Sequence, residues 1–264
     1  MTSVQQLVTR LLEQKLSQYG FDLVHVFPVQ LYNTRLAAAV SSTDFDRFKL
    51  PEWSQHSPST TLGVLVGNTK SLWPAFIDNL AQDPSRLEQH PGRAIDSYTE
   101  EAITQCVGDA LNESHDGHSV PQHRIWYSFR MSPGELLPFQ RLVHSVGFAH
   151  LNRSANLCIH PKYGPWISFR SVIVIDCPGP ALDDPSCQEL DDPYPECTPL
   201  IREWFAAKLA TAKWQDWVHL RDIAMPPHTK EYRYTEQQIL YHYTKQEHIL
   251  RDAIKQDTIA QKAT

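Results

Sequence analysis

Residues 157–176 read LCIHPKYGPWISFRSVIVID, and the way this stretch is read decides the fold. Its second half, WISFRSVIVID, is a run rich in β-branched and aromatic residues, the composition of a half-buried or buried strand. Strict alternation puts Trp166, Ser168, Arg170, Val172 and Val174 on one face and Ile167, Phe169, Ser171, Ile173 and Ile175 on the other. Arg170 then sits between small and apolar neighbours. An unpaired buried guanidinium is very costly, so on a partly buried face Arg170 needs a carboxylate partner or a cavity that receives an anion, and its planar fork suits carboxylate recognition. An exposed arginine on a solvated sheet face accounts for the same residues equally well. The loop before it, His160 to Trp166, joins turn residues to two large aromatics and two bases. That composition fits a pocket rim or a plain connection between strands.

Outward from this strand the chain alternates between helical and extended patterns. Val4, Leu7, Val8, Leu11, Leu12 and Leu16 recur at spacings of three and four, which predicts a helix ending at Gly20. FDLVHVFPVQLYN (21–33) reads as extended, 41–60 as a polar loop with aromatics, and TLGVLVGN (61–68) as a buried strand followed by a helix near Leu72 to Leu80. Residues 97–111 suggest a helix and RIWYSFRM (124–131) a strand. From Pro138 a further helix presents Phe139, Leu142, Val143 and Val146 on one face, with Gln140, His144, Gly147 and Leu151 at offsets of 0, 4, 7 and 11 on another. That second face either lets a flat ligand approach the backbone at Gly147 or is a glycine tolerated mid-helix beside a hydrogen-bonded histidine, and the residues alone favour the latter. The Pro- and Asp-rich segment 178–199 is an irregular excursion. Helical patterns resume at 199–212 and 214–222, and Thr235 is an N-cap candidate that opens a C-terminal helical segment over 234–258. The expected architecture is a single α+β domain over 1–264, an antiparallel or mixed sheet with packed helices.

Composition narrows the function classes. The 264 residues are 41% hydrophobic and 20% charged, with a net charge of -6 and no dense Lys/Arg block, which speaks for a soluble globular protein and against a nucleic-acid partner. No apolar run approaches the roughly 20 residues that span a bilayer, and the N-terminus lacks a signal-peptide core, so the chain reads as cytosolic with no membrane partner. The five cysteines, Cys106, Cys158, Cys177, Cys187 and Cys197, are odd in number, far apart, and form no CxxC or CxxxH pair, which disfavours a disulfide framework and a structural zinc site.

CIHPKYGPWISFR resembles the most diagnostic stretch of the CblC family of cytosolic cobalamin-processing enzymes. Other blocks agree in order over roughly residues 10 to 250: Gly20-Phe21-Asp22 with Tyr32-Asn33, the Gln140, His144, Gly147 helix, Asp216-Trp217 with Arg221-Asp222, and Arg233-Tyr234-Thr235-Glu236. The resemblance implies a fold like the flavin-dependent nitroreductase type with a large ligand cavity. It also implies binding of cobalamin with its lower base displaced, reductive decyanation of cyanocobalamin, and transfer of the alkyl group of alkylcobalamins to glutathione. The family's glutathione-binding and catalytic arginines carry over to Arg170 and Arg221; a third falls on Ile249 without gaps, with Arg251 the nearest substitute. Phe139, Gln140, His144, Gly147, Cys158 and Phe169 fall on the corrinoid side. No protein ligand to cobalt is expected, since Leu142 stands where an aspartate would orient His144.

The resemblance further implies an adaptor protein of cobalamin trafficking as partner, with methionine synthase beyond it, and FMN or FAD as an electron source, although no glycine-rich or basic phosphate cradle is visible in the sequence. Two departures from the family stand out. Asn156 replaces a glycine before the Cys-Ile-His-Pro block, and the loop from Gly147 to Asn156 is shorter. A changed pocket mouth would expose reduced cobalamin to oxygen and drive cobalamin-dependent thiol oxidation. A non-catalytic cobalamin escort and a flavin-dependent nitroreductase-like reductase are the competing readings.

Overall fold

The computed structural model describes residues 3–53, 60–115 and 120–262. Its elements run α1 (Val4–Ser17), β1 (Leu23–Pro28), α2 (Val29–Ala39), α3 (Ser42–Phe48), β2 (Thr61–Asn68), α4 (Leu72–Gln82), α5 (Arg86–Gln89), α6 (Ala94–Ser114), β3 (His123–Tyr127), α7 (Phe139–Ser145), β4 (His150–Asn152), β5 (Leu157–Ile159), β6 (Ser168–Pro178), α8 (Thr198–Lys208), α9 (Trp214–Ile223), α10 (Glu236–Thr244) and α11 (Glu247–Lys262). The fold is α+β. Four antiparallel strands pair in the order β1-β2-β6-β3, and β4 and β5 form a separate hairpin.

Helices cover both faces of the sheet, which is why β2 is buried along its whole length. On one face Ile173, Ile175, Val64 and Val66 pack against residues of α1, α4, α6, α10 and α11, including Leu12, Phe76, Ile103 and Tyr241. On the other, Val172, Val174 and Leu65 meet α2, α7 and β5 through Leu36, Val143 and Cys158. A smaller cluster seats α8 and α9, through Ile201, Trp204 and Leu220, on Leu157 and Ile159 of β5. The predicted helix from Val4, the strand 61–68 and the helix from Leu72 all appear, and the Thr235 side chain caps α10 by accepting from the Gln238 N–H at 3.2 Å.

Several expectations change. The extended reading of 21–33 holds only to Pro28; Val29 to Asn33 open α2, whose buried side chains Val29, Tyr32, Asn33 and Leu36 follow a helical period that becomes visible only beyond residue 33. The polar loop expected over 41–60 holds a short helix, α3, capped by Ser41; residues 54–59 lie outside the described residues. β3 stops at Tyr127, and α7 is seven residues long and ends before Gly147. Gly147 is therefore not a mid-helix glycine. It follows the C-cap at φ +74°, and a Cβ there would run into the Gln188 carbonyl oxygen and lie 2.8 Å from the Cys187 carbonyl carbon. What approaches this backbone is the 178–199 segment, not a flat ligand. Between the end of β6 at Pro178 and the start of α8 at Thr198 that segment is irregular apart from a 3-10 turn at Pro185–Cys187.

Candidate functional site

The alternation along β6 breaks at Arg170. Val66 faces Ser171 and Gly67 faces Phe169, so one extra residue, Arg170, is accommodated in a β-bulge. The bulge reverses the parity of the strand. Ile167 and Phe169 pack in the same cluster as Val172 and Val174, the opposite of what strict alternation predicts. Arg170 is freed from that face and is 7% exposed. Its Nε donates to Asn68 Oδ1 at 2.6 Å, Nη2 has no hydrogen-bond partner, and among the described residues no carboxylate pairs with it. Burial pulls the guanidinium pKa below its usual value, opposed by the fields of Tyr234 and Asp96. A buried cation left in this state is suited to an anionic ligand.

Arg170 lines a hollow of about 240 Å³ together with Gln140, Cys158, Ser168, Phe169 and Arg221. Five residues singled out in the sequence thus converge from α7, β5, β6 and α9. Arg221, half-buried on α9, donates from Nε to the Tyr243 hydroxyl at 3.2 Å and from Nη1 to the Pro165 carbonyl. The guanidinium carbons of Arg221 and Arg233 lie 5.6 Å and 5.3 Å from the Trp166 ring, which is 1% exposed. Arg233 is itself neutralised by Asp222 at 2.8 Å and Glu236 at 2.5 Å, so it supports Trp166 rather than adding free charge. Burial pushes the Cys158 thiol up to about 12, with Arg221 pulling weakly the other way, so Cys158 is a neutral apolar wall and not a nucleophile.

A second hollow of about 440 Å³ adjoins the first, sharing Gln140, Leu157 and Arg221 and adding the rings of Phe205, Trp217 and Tyr243. In place of the single large cavity expected from the resemblance, the structure has these two smaller neighbouring hollows. On their shared rim Gln140 Nε2 donates to the Asn156 carbonyl at 2.7 Å, and Asn156 Nδ2 donates back to Gln140 Oε1 at 3.3 Å. Asn156 has φ +52°, the left-handed region in which glycine and asparagine are favoured. The departure from the family glycine thus keeps the backbone and adds a side chain that holds Gln140.

Other predicted residues lie elsewhere. Phe139 is buried in the core behind Cys158 and lines neither hollow. His144 faces the opposite side of α7, its Nδ1 accepting from the Leu151 N–H at 3.3 Å and its Nε2 3.9 Å from Glu189; burial lowers its pKa, and the neutral ring carries its proton on Nε2. Gly147 shapes the end of α7. Arg251 is exposed on α11, paired with Glu247 at 2.5 Å, and the structure does not bring it to Arg170 and Arg221. One support went unread in the sequence, Asn68, whose signal is a polar residue closing an otherwise apolar strand; Tyr234, quoted above only within a matching block, brings its hydroxyl to 3.0 Å from Ser168 Oγ.

No protein-family model matches the chain. Over 249 residues it is 26% identical to a human protein named cyanocobalamin reductase / alkylcobalamin dealkylase, covering 88% of this chain and 76% of that protein. A chicken protein of the same name is 24% identical over 257 residues, covering 91% and 93%. The crystal structure of a B12-trafficking protein CblC from C. elegans superposes with a TM-score of 0.68 at 19% identity, covering 96% of this chain and 97% of that one, a likeness of fold. The resemblance read from CIHPKYGPWISFR and the blocks around it is thus matched, over most of the chain, by similarity in sequence and in fold to proteins of those names.

Proposed function

We propose that this chain is a cobalamin-processing enzyme that binds cobalamin base-off and removes its upper axial ligand. The observation that carries the reading is Arg170: a buried guanidinium with an orphaned Nη2, beside Arg221, in the wall of a hollow that also contains Gln140, Cys158 and Phe169. A carrier without chemistry has no use for such a charge, whereas glutathione has two carboxylates and a thiol that reacts as thiolate, and positive charge favours both.

In dealkylation the glutathione thiolate attacks the alkyl carbon bonded to cobalt; the new sulfur–carbon bond gives a thioether, and the cobalt–carbon electron pair stays on cobalt, which is reduced from Co(III) to Co(I). In decyanation, electrons delivered to cobalt release cyanide as the anion. Arg170 and Arg221 hold the tripeptide's carboxylates, and the second hollow, with Leu157, Phe205 and Trp217, offers apolar surface to a corrinoid. FMN or FAD enters as a diffusible electron source, since the residues lining the two hollows include no glycine-rich phosphate cradle. The family resemblance supports a fold of the nitroreductase type, one processing unit over the whole chain, a cytosolic site of action, and hand-off to the trafficking adaptor and, through it, to methionine synthase.

The test is an anaerobic absorbance titration with methylcobalamin, before and after glutathione, on the wild type and Arg170→Ala. A base-off spectrum followed by demethylation that slows at least tenfold in the variant is expected. Binding without any effect of glutathione would make the protein an escort. In air, the Asn156 rim leads to cobalamin-dependent thiol oxidation, and equal oxygen uptake by glutathione solutions with and without cobalamin would refute that part alone.

A further inference from the structure

On the far side of α7 from Arg170 lies a further cleft of about 490 Å³ between α2 and the segment 151–156, which meets the second hollow only at Asn156. Three arginines from three stretches of chain open onto it: Arg35 from α2, Arg141 from α7 and Arg153 from the turn after β4. One carboxylate, Glu189, faces them. His144 lines the same wall, and burial lowers its pKa, so near neutral pH it adds no charge. The cleft is thus net positive on a chain whose formal charge is -6.

The three arginines are not equally committed to the fold. Arg35 is a pin: its Nη1 donates to the Ser145 carbonyl and, at 3.0 Å, to the Cys187 carbonyl, which ties the end of α7 to the 178–199 segment, and its Nε is 3.9 Å from Glu189. Arg141 spends one hydrogen bond on the Ala39 carbonyl at 3.2 Å. Among the described residues neither Arg141 nor Arg153 makes an ion pair, although both are exposed and carboxylates are abundant on this chain. Three like charges gathered in a concave site against a single carboxylate repel one another, and the arrangement is stabilised when an oxyanion enters. Guanidinium forks match the oxygens of a phosphate group.

We propose that the cleft between α2 and α7 is a binding site for the phosphate group of a small ligand, separate from the hollow at Arg170 and Arg221. It was invisible in the sequence because the three arginines are far apart along the chain and meet only when α2 packs on α7.

The test is isothermal titration calorimetry of the full chain with inorganic phosphate in a phosphate-free buffer of low ionic strength. Saturable binding is expected, weakened at least tenfold in Arg141→Ala/Arg153→Ala and within twofold of wild type in Arg170→Ala. The charge-keeping pair Arg141→Lys/Arg153→Lys recovers part of the binding, and thermal melting verifies that each variant folds. No saturable heat, or equal affinity in the double alanine variant, would overturn the proposal. Competition then separates the sources of phosphate. Displacement by cobalamin but not by cobinamide, which lacks the nucleotide loop, assigns the site to the phosphodiester of the displaced tail. Displacement by neither assigns it to a free phosphate ligand. Displacement by both places phosphate in the corrinoid's own site and overturns the separation claimed. The first titration contains no cobalamin, so its outcome does not depend on the cobalamin reading above.

Discussion

Arg170 Nε donates to Asn68 Oδ1 at 2.6 Å, and this side-chain amide, rather than a carboxylate, is what faces the buried guanidinium. An amide orients the arginine without neutralising it. Asn68 is in turn held by its own Nδ2, which donates to the Thr69 carbonyl at 2.6 Å. Changing Asn68 to Asp supplies the missing counter-charge at the same place. Asn68→Asp is expected to keep or raise the melting temperature while weakening glutathione binding at least tenfold. Asn68→Ala leaves Nε unpartnered at a cost of about 1–3 kcal/mol. Unchanged glutathione affinity in Asn68→Asp would remove Arg170 from the binding site.

The thiols give a second prediction. Burial holds Cys158 and Cys177 at about 12 and Cys106 at about 11, far above the pH of ordinary thiol assays. At pH 8 each is a neutral thiol, and all five cysteines are buried. Native protein mixed with a chromogenic disulfide reagent is expected to show less than one reactive thiol over several minutes, and five after denaturation. Rapid labelling of Cys158 in the native state would mean an activated thiolate in the wall of the hollow.

Acid should destabilise the fold through His160. Its Nδ1 accepts from the N–H groups of Lys162 at 3.0 Å and Tyr163 at 3.3 Å, which shapes the loop leading to Trp166, and burial lowers its pKa to about 4 from 6.5. Because the folded value is the lower one, the unfolded chain binds the proton first. The stability is present above pH 6.5 and is lost as pH falls toward about 4. A shift of this size corresponds to about 3 kcal/mol across the window. His160→Asn keeps an acceptor without the titration, so its melting temperature should fall less than that of the wild type between pH 7 and pH 4.5. Parallel curves would show that other groups, such as the half-buried His25, control the acid response.

Gly147→Ala tests the join between α7 and the 178–199 segment. A left-handed φ costs an ordinary residue about 1–2 kcal/mol, and the clash with the backbone at Cys187 and Gln188 adds to it. A loss of at least about 2 kcal/mol in urea unfolding is expected, with the glutathione affinity proposed for the Arg170 hollow unaffected. A variant as stable as wild type would mean that the segment is not anchored there.

Local periodicity carried much of the fold. The three-and-four spacing of Val8, Leu11, Leu12 and Leu16, the apolar run of β2, and the Thr235 cap each depend on near neighbours along the chain, and each formed as read. Val29 to Asn33 misled because a β-branched and an aromatic residue after a proline look extended until Leu36 completes the helical period. The resemblance in CIHPKYGPWISFR likewise pointed to Arg170, Arg221, Gln140, Cys158 and Phe169, which the fold brings to one hollow.

The sequence by itself determined the α+β class, the strand that carries Arg170, and the presence there of a charge that demanded an explanation. Tertiary structure decided where that charge points and what meets it. A bulge is a mismatch between two strands, so the parity change at Arg170 exists only once β6 is paired with β2. The Asn68 contact spans 102 residues, the amide pair of Gln140 and Asn156 closes when α7 meets the turn before β5, and the three arginines of the α2–α7 cleft converge only on packing. Alternation and spacing describe neighbours along the chain, whereas each of these sites is set by the register of strands and the docking of helices, which no single stretch of sequence contains.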